Sequence, residues 1–297
     1  MNPLPGRVRI VEVGPRDGLQ NEAKAVPTEK KAEFIRLLVA AGLTDIEAAS
    51  FVHPKWVPQL ADAQELIARL DPAPGVRYSA LVPNMKGLER AISSGIRRIA
   101  VFTAASETFN RKNINMGIQE SIEGFKPVVD RALKKGITVR GYVSTCFVCP
   151  YEGAVGKEKV AEVVRSLFGL GVDEVSIGDT TGAATPRDVE ITGGHLIGQF
   201  PVEKLAMHFH DTYGMAVANV YQSLQLGFNI FDSSAGGLGG CPYSPGASGN
   251  LATEDLVYLL DRLGIASGVS LKLLRLASHF IAGELDRELP SRVLKTN

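Results

Sequence analysis

The chain has 297 residues, 45% apolar and 22% charged, with a mean hydropathy of +0.06, so it can bury a large core and is expected to be ordered throughout. Lys plus Arg and Asp plus Glu each total 32, and no basic or acidic block stands out. That balance argues against nucleic acid or an anionic membrane surface as the main partner and leaves a small molecule as the default.

The opening stretch MNPLPGRVRIVEV has no charged segment followed by an apolar one, and no apolar run nears the roughly 18 residues a membrane span needs. Cys146, Cys149 and Cys241 are too few for a disulfide framework and fit a reducing compartment. A cytoplasmic protein with no membrane partner is the expectation. Cys146 and Cys149 form a C-x-x-C. Without a second pair, burial is the first reading and zinc or redox use the second.

From the N-terminus onward, short β-branched runs alternate with helical patterns. VRIVEVG precedes a helix over 28–41, DIEAASF one over 61–70, RYSALVP one over 85–94, and RIAVFTA one over 118–135. ITVRGYVST is followed by a helix over 157–169, EVSIGDT by 188–200, LAMHFHD by 216–226, and IFDSSA by 253–263. In the first helix Thr28 stands before the apolar positions Phe34, Leu37, Leu38 and Ala41, and Gly42 supplies a stop. Gly95, Gly136, Gly171 and Gly227 mark other helix ends in the same way.

Eight strand-then-helix units predict a (β/α)₈ TIM barrel, because parallel neighbours need a crossover of a dozen or more residues. Residues 1–297 read as one catalytic domain, with 268–297 a C-terminal helical extension. In that extension Leu271, Leu274, Ala277 and Ile281 share a face that a second copy of the chain could cover, in a homodimer or higher homo-oligomer. An open doubly wound sheet is the alternative, but VGPRDGLQNE is not its usual G-x-G-x-x-G turn.

A barrel places its chemistry at the C-terminal ends of its strands. Arg16 and Asp17 follow the first strand, Glu47 lies in the second, Asn84 follows the third, Thr145 ends the fifth and Asp179 the sixth. His208 and His210 close the seventh and, two residues apart in a strand, project to the same side while Phe209 projects to the other, into packing. Two hydrogen-bonded core histidines are the bland reading. Carboxylates on neighbouring strand ends favour metal coordination instead, with Asp17 and the amide oxygen of Asn250 completing the set. Mixed nitrogen and oxygen donors suit Mg²⁺ or Mn²⁺ and would also accept Zn²⁺.

Residues 236–255, GGLGGCPYSPGASGNLATED, open with four glycines in five positions. The stretch reads as a plain connector or, with Cys241 at its centre, as a loop carrying a thiol that exchanges protons above a cationic site.

Together, VEVGPRDGLQNE, SFVHPKWVPQ, GDTTG, HFHDTYGMAVAN and the cysteine loop resemble the signature segments of the 3-hydroxy-3-methylglutaryl-CoA lyase family, over roughly residues 8 to 295. The resemblance implies a metal-dependent barrel that cleaves an acyl-CoA substrate to acetyl-CoA and acetoacetate by a retro-Claisen reaction. By motif, Asp17, His208, His210 and Asn250 match the metal ligands, Arg16 and Cys241 the catalytic arginine and cysteine, and Glu47, Asp179 and Glu254 the supporting acids. Asp17, His208 and Cys241 are the candidates for taking the substrate's hydroxyl proton, and Glu47 and Asp179 are read as either catalytic or structural. One position departs from the family: Ala23 then Lys24 stand where it commonly carries a lysine, so contact with the CoA phosphates there is not carried over. Two other functions stay open, a related lyase or Claisen-type condensing enzyme acting on another 3-hydroxyacyl-CoA or a 2-oxo acid, and a noncatalytic metal- or CoA-binding barrel.

Overall fold

A computed structural model describes residues 3–240 and 249–296. Eight strands form its centre: β1 (Arg9–Glu12), β2 (Asp45–Ser50), β3 (Arg77–Leu81), β4 (Arg98–Ala104), β5 (Thr138–Ser144), β6 (Glu174–Asp179), β7 (Leu205–Phe209) and β8 (Ile230–Ser233). Each pairs in parallel with the next, and β8 pairs with β1 to close the barrel. β2 (DIEAAS) and β6 (EVSIGD) are buried along their whole length even though both alternate polar with apolar residues, because the barrel encloses the polar side chains they carry.

The crossover helices are α1 (Thr28–Ala40), α2 (Ala63–Ala68), α3 (Met85–Ser93), α4 (Glu107–Ile114), α5 (Ile118–Lys134), α6 (Lys157–Gly169), α7 (Pro186–Ile197), α8 (Ala216–Leu226) and α9 (Thr253–Arg262), with α10 (Leu271–Leu285) beyond the barrel. Three boundaries differ from expectation. Thr28 is the first residue of α1 and not its cap, because Pro27 precedes it in extended geometry and the Thr28 hydroxyl donates to Asp62 on the next unit. α2 is shorter than 61–70, since Pro58–Leu60 forms a separate 3₁₀ turn ahead of it. α7 starts at Pro186, where Thr185 and Asp188 form a capping box.

Two elements have no counterpart in the sequence reading. α4 is capped by Ser106, whose hydroxyl accepts from the Phe109 amide, and its sequence, ETFNRKNI, is too polar to show a core-facing stripe. A two-residue hairpin pairs Val148–Cys149 with Gly153–Ala154. Leu274, Ala277 and Ile281 of α10 are fully buried, and the helix packs on α1, with Lys30 and Glu284 paired across the contact. The apolar face expected to be free for a second chain is therefore covered from within. Among the described residues no helix is long and apolar enough to cross a membrane.

Candidate metal and catalytic site

Directly after β1 the chain makes one π-helical turn, Gly14–Gly18, which presents Arg16 and Asp17 at the C-terminal mouth. Pro15 opens the turn, where its lack of an N–H costs nothing. Arg16 is nearly buried; its Nε and Nη2 reach Glu47 Oε2 at 2.6 and 2.5 Å, and its Nη1 reaches Asp17 Oδ1 at 2.6 Å. Burial disfavours the guanidinium charge, but Glu47 and Asp17 outweigh it and hold Arg16 cationic. Burial likewise raises Asp17, yet Arg16, the two histidines and Asn250 together bring it down to about 2.

His208 and His210 do point together: their ring centroids are 5.2 Å apart, and one ligand atom from each lies within 4.8 Å of the other and of a carboxylate oxygen of Asp17. Burial and the neighbouring His208 press His210 down to about 4, so it is a neutral imidazole at pH 7. Phe209 is buried between them with its ring against Phe147, 6.3 Å between centroids. Asn250 bridges back to His210 as an isolated β-pair, and its Nδ2 donates to Asp17 Oδ2 at 2.9 Å and to Leu238 O at 3.0 Å.

The donor set fits a divalent cation. His210 Nδ1 and Asn250 Oδ1 are buried without a hydrogen-bond partner among the described residues, an arrangement that costs stability unless something accepts their lone pairs. With an ionised carboxylate and two imidazoles beside that amide oxygen, the site offers mixed oxygen and nitrogen donors for a divalent cation.

Asp179 ends β6 inside the mouth, with Oδ2 accepting from the Ala184 amide at 3.2 Å and Oδ1 buried and unpartnered. Its burial pushes it up to about 7. Glu254 is fully buried at the start of α9, accepting from the Gly236 amide at 2.7 Å and from Ser278, and burial pushes it too up to about 7. It therefore holds the root of the glycine-rich loop. That loop closes on itself at its base, where a Cβ on Gly249 would sit 2.3 Å from the Gly239 carbonyl oxygen, so only glycine fits. Cys241 lies outside the described residues.

Two candidates are structural. Asn84 caps α3, accepting from the Gly87 amide at 3.0 Å. Thr145 is fully buried with a left-handed φ of 55° and turns its hydroxyl onto the Ser144 carbonyl. Cys146 and Cys149 are free and buried, as the bland reading held, and burial pushes the Cys146 thiol up.

Beneath the site runs a network that sequence reasoning missed. Tyr142 donates to Glu47 Oε2 at 3.2 Å and accepts from Arg140 Nη1 at 2.9 Å, with the Arg16 guanidinium 5.4 Å from its ring centre. Arg140 also reaches Asp232 on β8 at 2.6 Å. Burial raises Asp232, but Arg140 and His208 outweigh it and hold the carboxyl well below the usual range. The available signal was a charge inside a strand buried on both faces: Arg140 in ITVRGYVST and Asp232 in IFDSSA can only point into the barrel.

The HMGL-like family model matches residues 7–281. The mitochondrial hydroxymethylglutaryl-CoA lyase of Rattus norvegicus is 52% identical over 293 residues, covering 99% of this chain and 90% of that one. A crystal structure of the Bacillus subtilis HMG-CoA lyase superposes with a TM-score of 0.97 at 50% identity, over 99% of this chain and 98% of the other. An HMG-CoA lyase from Acinetobacter baumannii, solved in complex with coenzyme A and 3-methylmalate, superposes at 0.94 with 36% identity over 100% and 97%.

Proposed function

The chain belongs to the HMGL-like family, a carbon–carbon lyase by its relatives, and on that premise we propose that it cleaves 3-hydroxy-3-methylglutaryl-CoA to acetyl-CoA and acetoacetate. The observation that carries this is local: Asp17, His208 and His210 converge on one point, with the unpartnered Asn250 Oδ1 beside them and the buried Arg16 cation attached to Asp17. The coenzyme A bound by the Acinetobacter baumannii protein supports an acyl-CoA substrate.

Breaking the bond between C2 and C3 requires loss of the tertiary hydroxyl proton and a place for negative charge on the departing thioester enolate. Asp17, His208, His210 and Asn250 would hold a Mg²⁺ or Mn²⁺, which would supply Lewis acidity to lower the hydroxyl's pKa. Arg16, fixed by Glu47 from below, donates to the thioester oxygen as charge develops there, and the ion pair prevents the guanidinium from swinging out of position. Cys241 returns a proton to the enolate carbon to form acetyl-CoA. Arg16, the two histidines and Asn250 hold Asp17 ionised as a ligand, and with Asp17 and His208 both taken up as ligands Cys241 is left to take the hydroxyl proton that it then returns. Glu47 acts on Arg16. Asp179, able to hold or release a proton near pH 7, lines the same mouth.

We read residues 1–297 as one catalytic domain with 268–297 as its extension, supported by the packing of α10 on α1. The free buried thiols Cys146 and Cys149 suit the cytoplasm. Leu273 and Leu276, exposed on the outer side of α10, are where we place a homo-oligomer contact, which light scattering of Leu276→Glu against the parent chain tests. The reaction itself is tested by steady-state release of acetoacetate with and without a chelator. Turnover that survives complete metal removal would sink the mechanism.

A further inference from the structure

Behind His208 lies a carboxylate that the mechanism above does not use. Asp232 on β8 stands in register with His208 on β7 and is fully buried. Its Oδ2 accepts from the Ser176 hydroxyl at 2.7 Å and lies 3.2 Å from His208 Nδ1. Its Oδ1 accepts from Arg140 Nη2 at 2.6 Å, and Arg140 is itself held by Glu174 through Nε at 2.7 Å. Every group facing Asp232 in these contacts is therefore a donor or must act as one.

A carboxylate in a charge-assisted bond to a buried arginine can only accept, so the proton on His208 must sit on Nδ1. A neutral imidazole protonated there carries its lone pair on Nε2. We propose that Asp232 is the positioning residue for His208, fixing its Nδ1–H tautomer and its ring orientation so that Nε2 faces the ion held with Asp17 and His210. The proposal rests on the reading of His208 as a metal ligand.

Arg140 is what makes the arrangement specific. Asp232→Asn changes one atom and nearly preserves volume, but it replaces an acceptor by an NH₂ donor. Arg140 offers only donors, so it keeps the amide oxygen at the Oδ1 position and sends the NH₂ to the Oδ2 position, opposite His208. Ser176 does not resist, since its hydroxyl accepts as readily as it donates. His208 must then accept through Nδ1 and carry its proton on Nε2, where it blocks the metal. The same inversion follows an Asp→Asn change behind a catalytic histidine in serine proteases.

The test uses the metal-free full-length chain labelled with ¹⁵N. Long-range proton–nitrogen spectra report the tautomer, with the His208 signals identified by their loss in His208→Gln. The wild-type chain is expected to show Nδ1–H and Asp232→Asn to show Nε2–H, while the Mn²⁺ dissociation constant, read by electron paramagnetic resonance, rises about 10- to 100-fold. An Nε2–H tautomer in the wild-type chain overturns the proposal, as does a folded Asp232→Asn that keeps Nδ1–H and wild-type Mn²⁺ affinity. If that variant fails to fold, the wild-type spectrum and Ser176→Ala decide: Ser176→Ala removes only the second donor to Oδ2 and is expected to keep Nδ1–H, and its loss counts against Asp232. Unchanged Mn²⁺ affinity in His208→Gln would instead remove His208 from the ligand set and leave the tautomer result standing.

Discussion

At the N-terminal end of the barrel, Asp45 accepts from Arg9 at 3.1 Å and from Arg77 at 2.5 Å, while Glu174 draws in Arg9, Arg98 at 3.0 Å and Arg140 at 2.7 Å. At the C-terminal mouth the same residue types leave lone pairs over: Glu47 Oε1, Asp179 Oδ1, His210 Nδ1 and Asn250 Oδ1 are all buried without a partner. The lower cluster matches cation to anion and ties neighbouring strands together, although Arg98 Nη2 and Asp173 Oδ1 there are also buried without a hydrogen-bond partner. The upper one forgoes that satisfaction, at a cost of about 1–3 kcal/mol for each unpaired buried group, which a protein tolerates where a ligand binds. What sets the mouth apart is the chemistry of its unpaired atoms: two carboxylate oxygens, an imidazole nitrogen and an amide oxygen, all able to donate a lone pair to a cation. Arg140 belongs to both clusters, pairing with Glu174 below and with Tyr142 and Asp232 above.

The contrast can be broken at either end. The largest effect is expected from chelation or from Asp17→Asn, which should reduce acetoacetate release to background and abolish stoichiometric metal in the purified protein, with the fold intact by circular dichroism. Arg16→Lys keeps the charge but loses the two-pronged grip on Glu47, and kcat should fall on the order of 10² to 10³ with a smaller change in KM. A change confined to KM would make Arg16 a binding residue only. At the lower end, Asp45→Asn weakens the hold on Arg9 and Arg77 and should cost about 2 kcal/mol in urea unfolding, while kcat per folded molecule holds. Loss of turnover without loss of stability would erase the distinction between the two ends.

A smaller effect concerns Glu12. It is fully buried, with burial pushing it up to about 7 against the hydrogen bonds from Thr253, Ala235 and Gly14. Folded, it keeps a proton that the unfolded chain gives up near 4.5, so its contribution is fully present below about 4.5 and is lost as pH rises through about 7. Stability should therefore fall across that window by up to about 1.4 kcal/mol per pH unit for this one group, and Glu12→Gln should flatten the profile of melting temperature against pH. The smallest effect is expected on the outer surface, where Glu33→Ala opens an exposed pair with Arg36 and should move stability by less than about 0.5 kcal/mol.

The strands were legible as short β-branched or apolar runs such as RIAVFTA set at a regular spacing between helical patterns, while DIEAAS, half polar, is buried because the closed barrel encloses its polar side chains as well. The helix ends at Gly42, Gly95, Gly136, Gly171 and Gly227 were legible for a local reason, since all five have positive φ. α4 was not, because ETFNRKNI carries no stripe and its helix depends on the Ser106 cap and on Glu107, which accepts from the Ile118 amide of the next helix. In the site, the paired histidines were legible from strand alternation. Asp232 was not singled out, because its partners Arg140, Ser176 and His208 lie on three other strands, up to 92 residues away in the chain.

What the amino-acid order determined by itself is whatever a short window contains: the alternation of strand and helix, the stops, and the residues able to ligate or carry charge at strand ends. The tertiary structure alone decided which of them are satisfied. Closure of the barrel sets β1 beside β8, and so brings Asp17 within 2.9 Å of Asn250 across 233 positions of chain. It also covered the apolar face of α10 with α1 and gave His208 the carboxylate of Asp232. The reason is physical: hydrogen-bond satisfaction is a property of pairs, and the pairs that matter here form only after eight strands have closed.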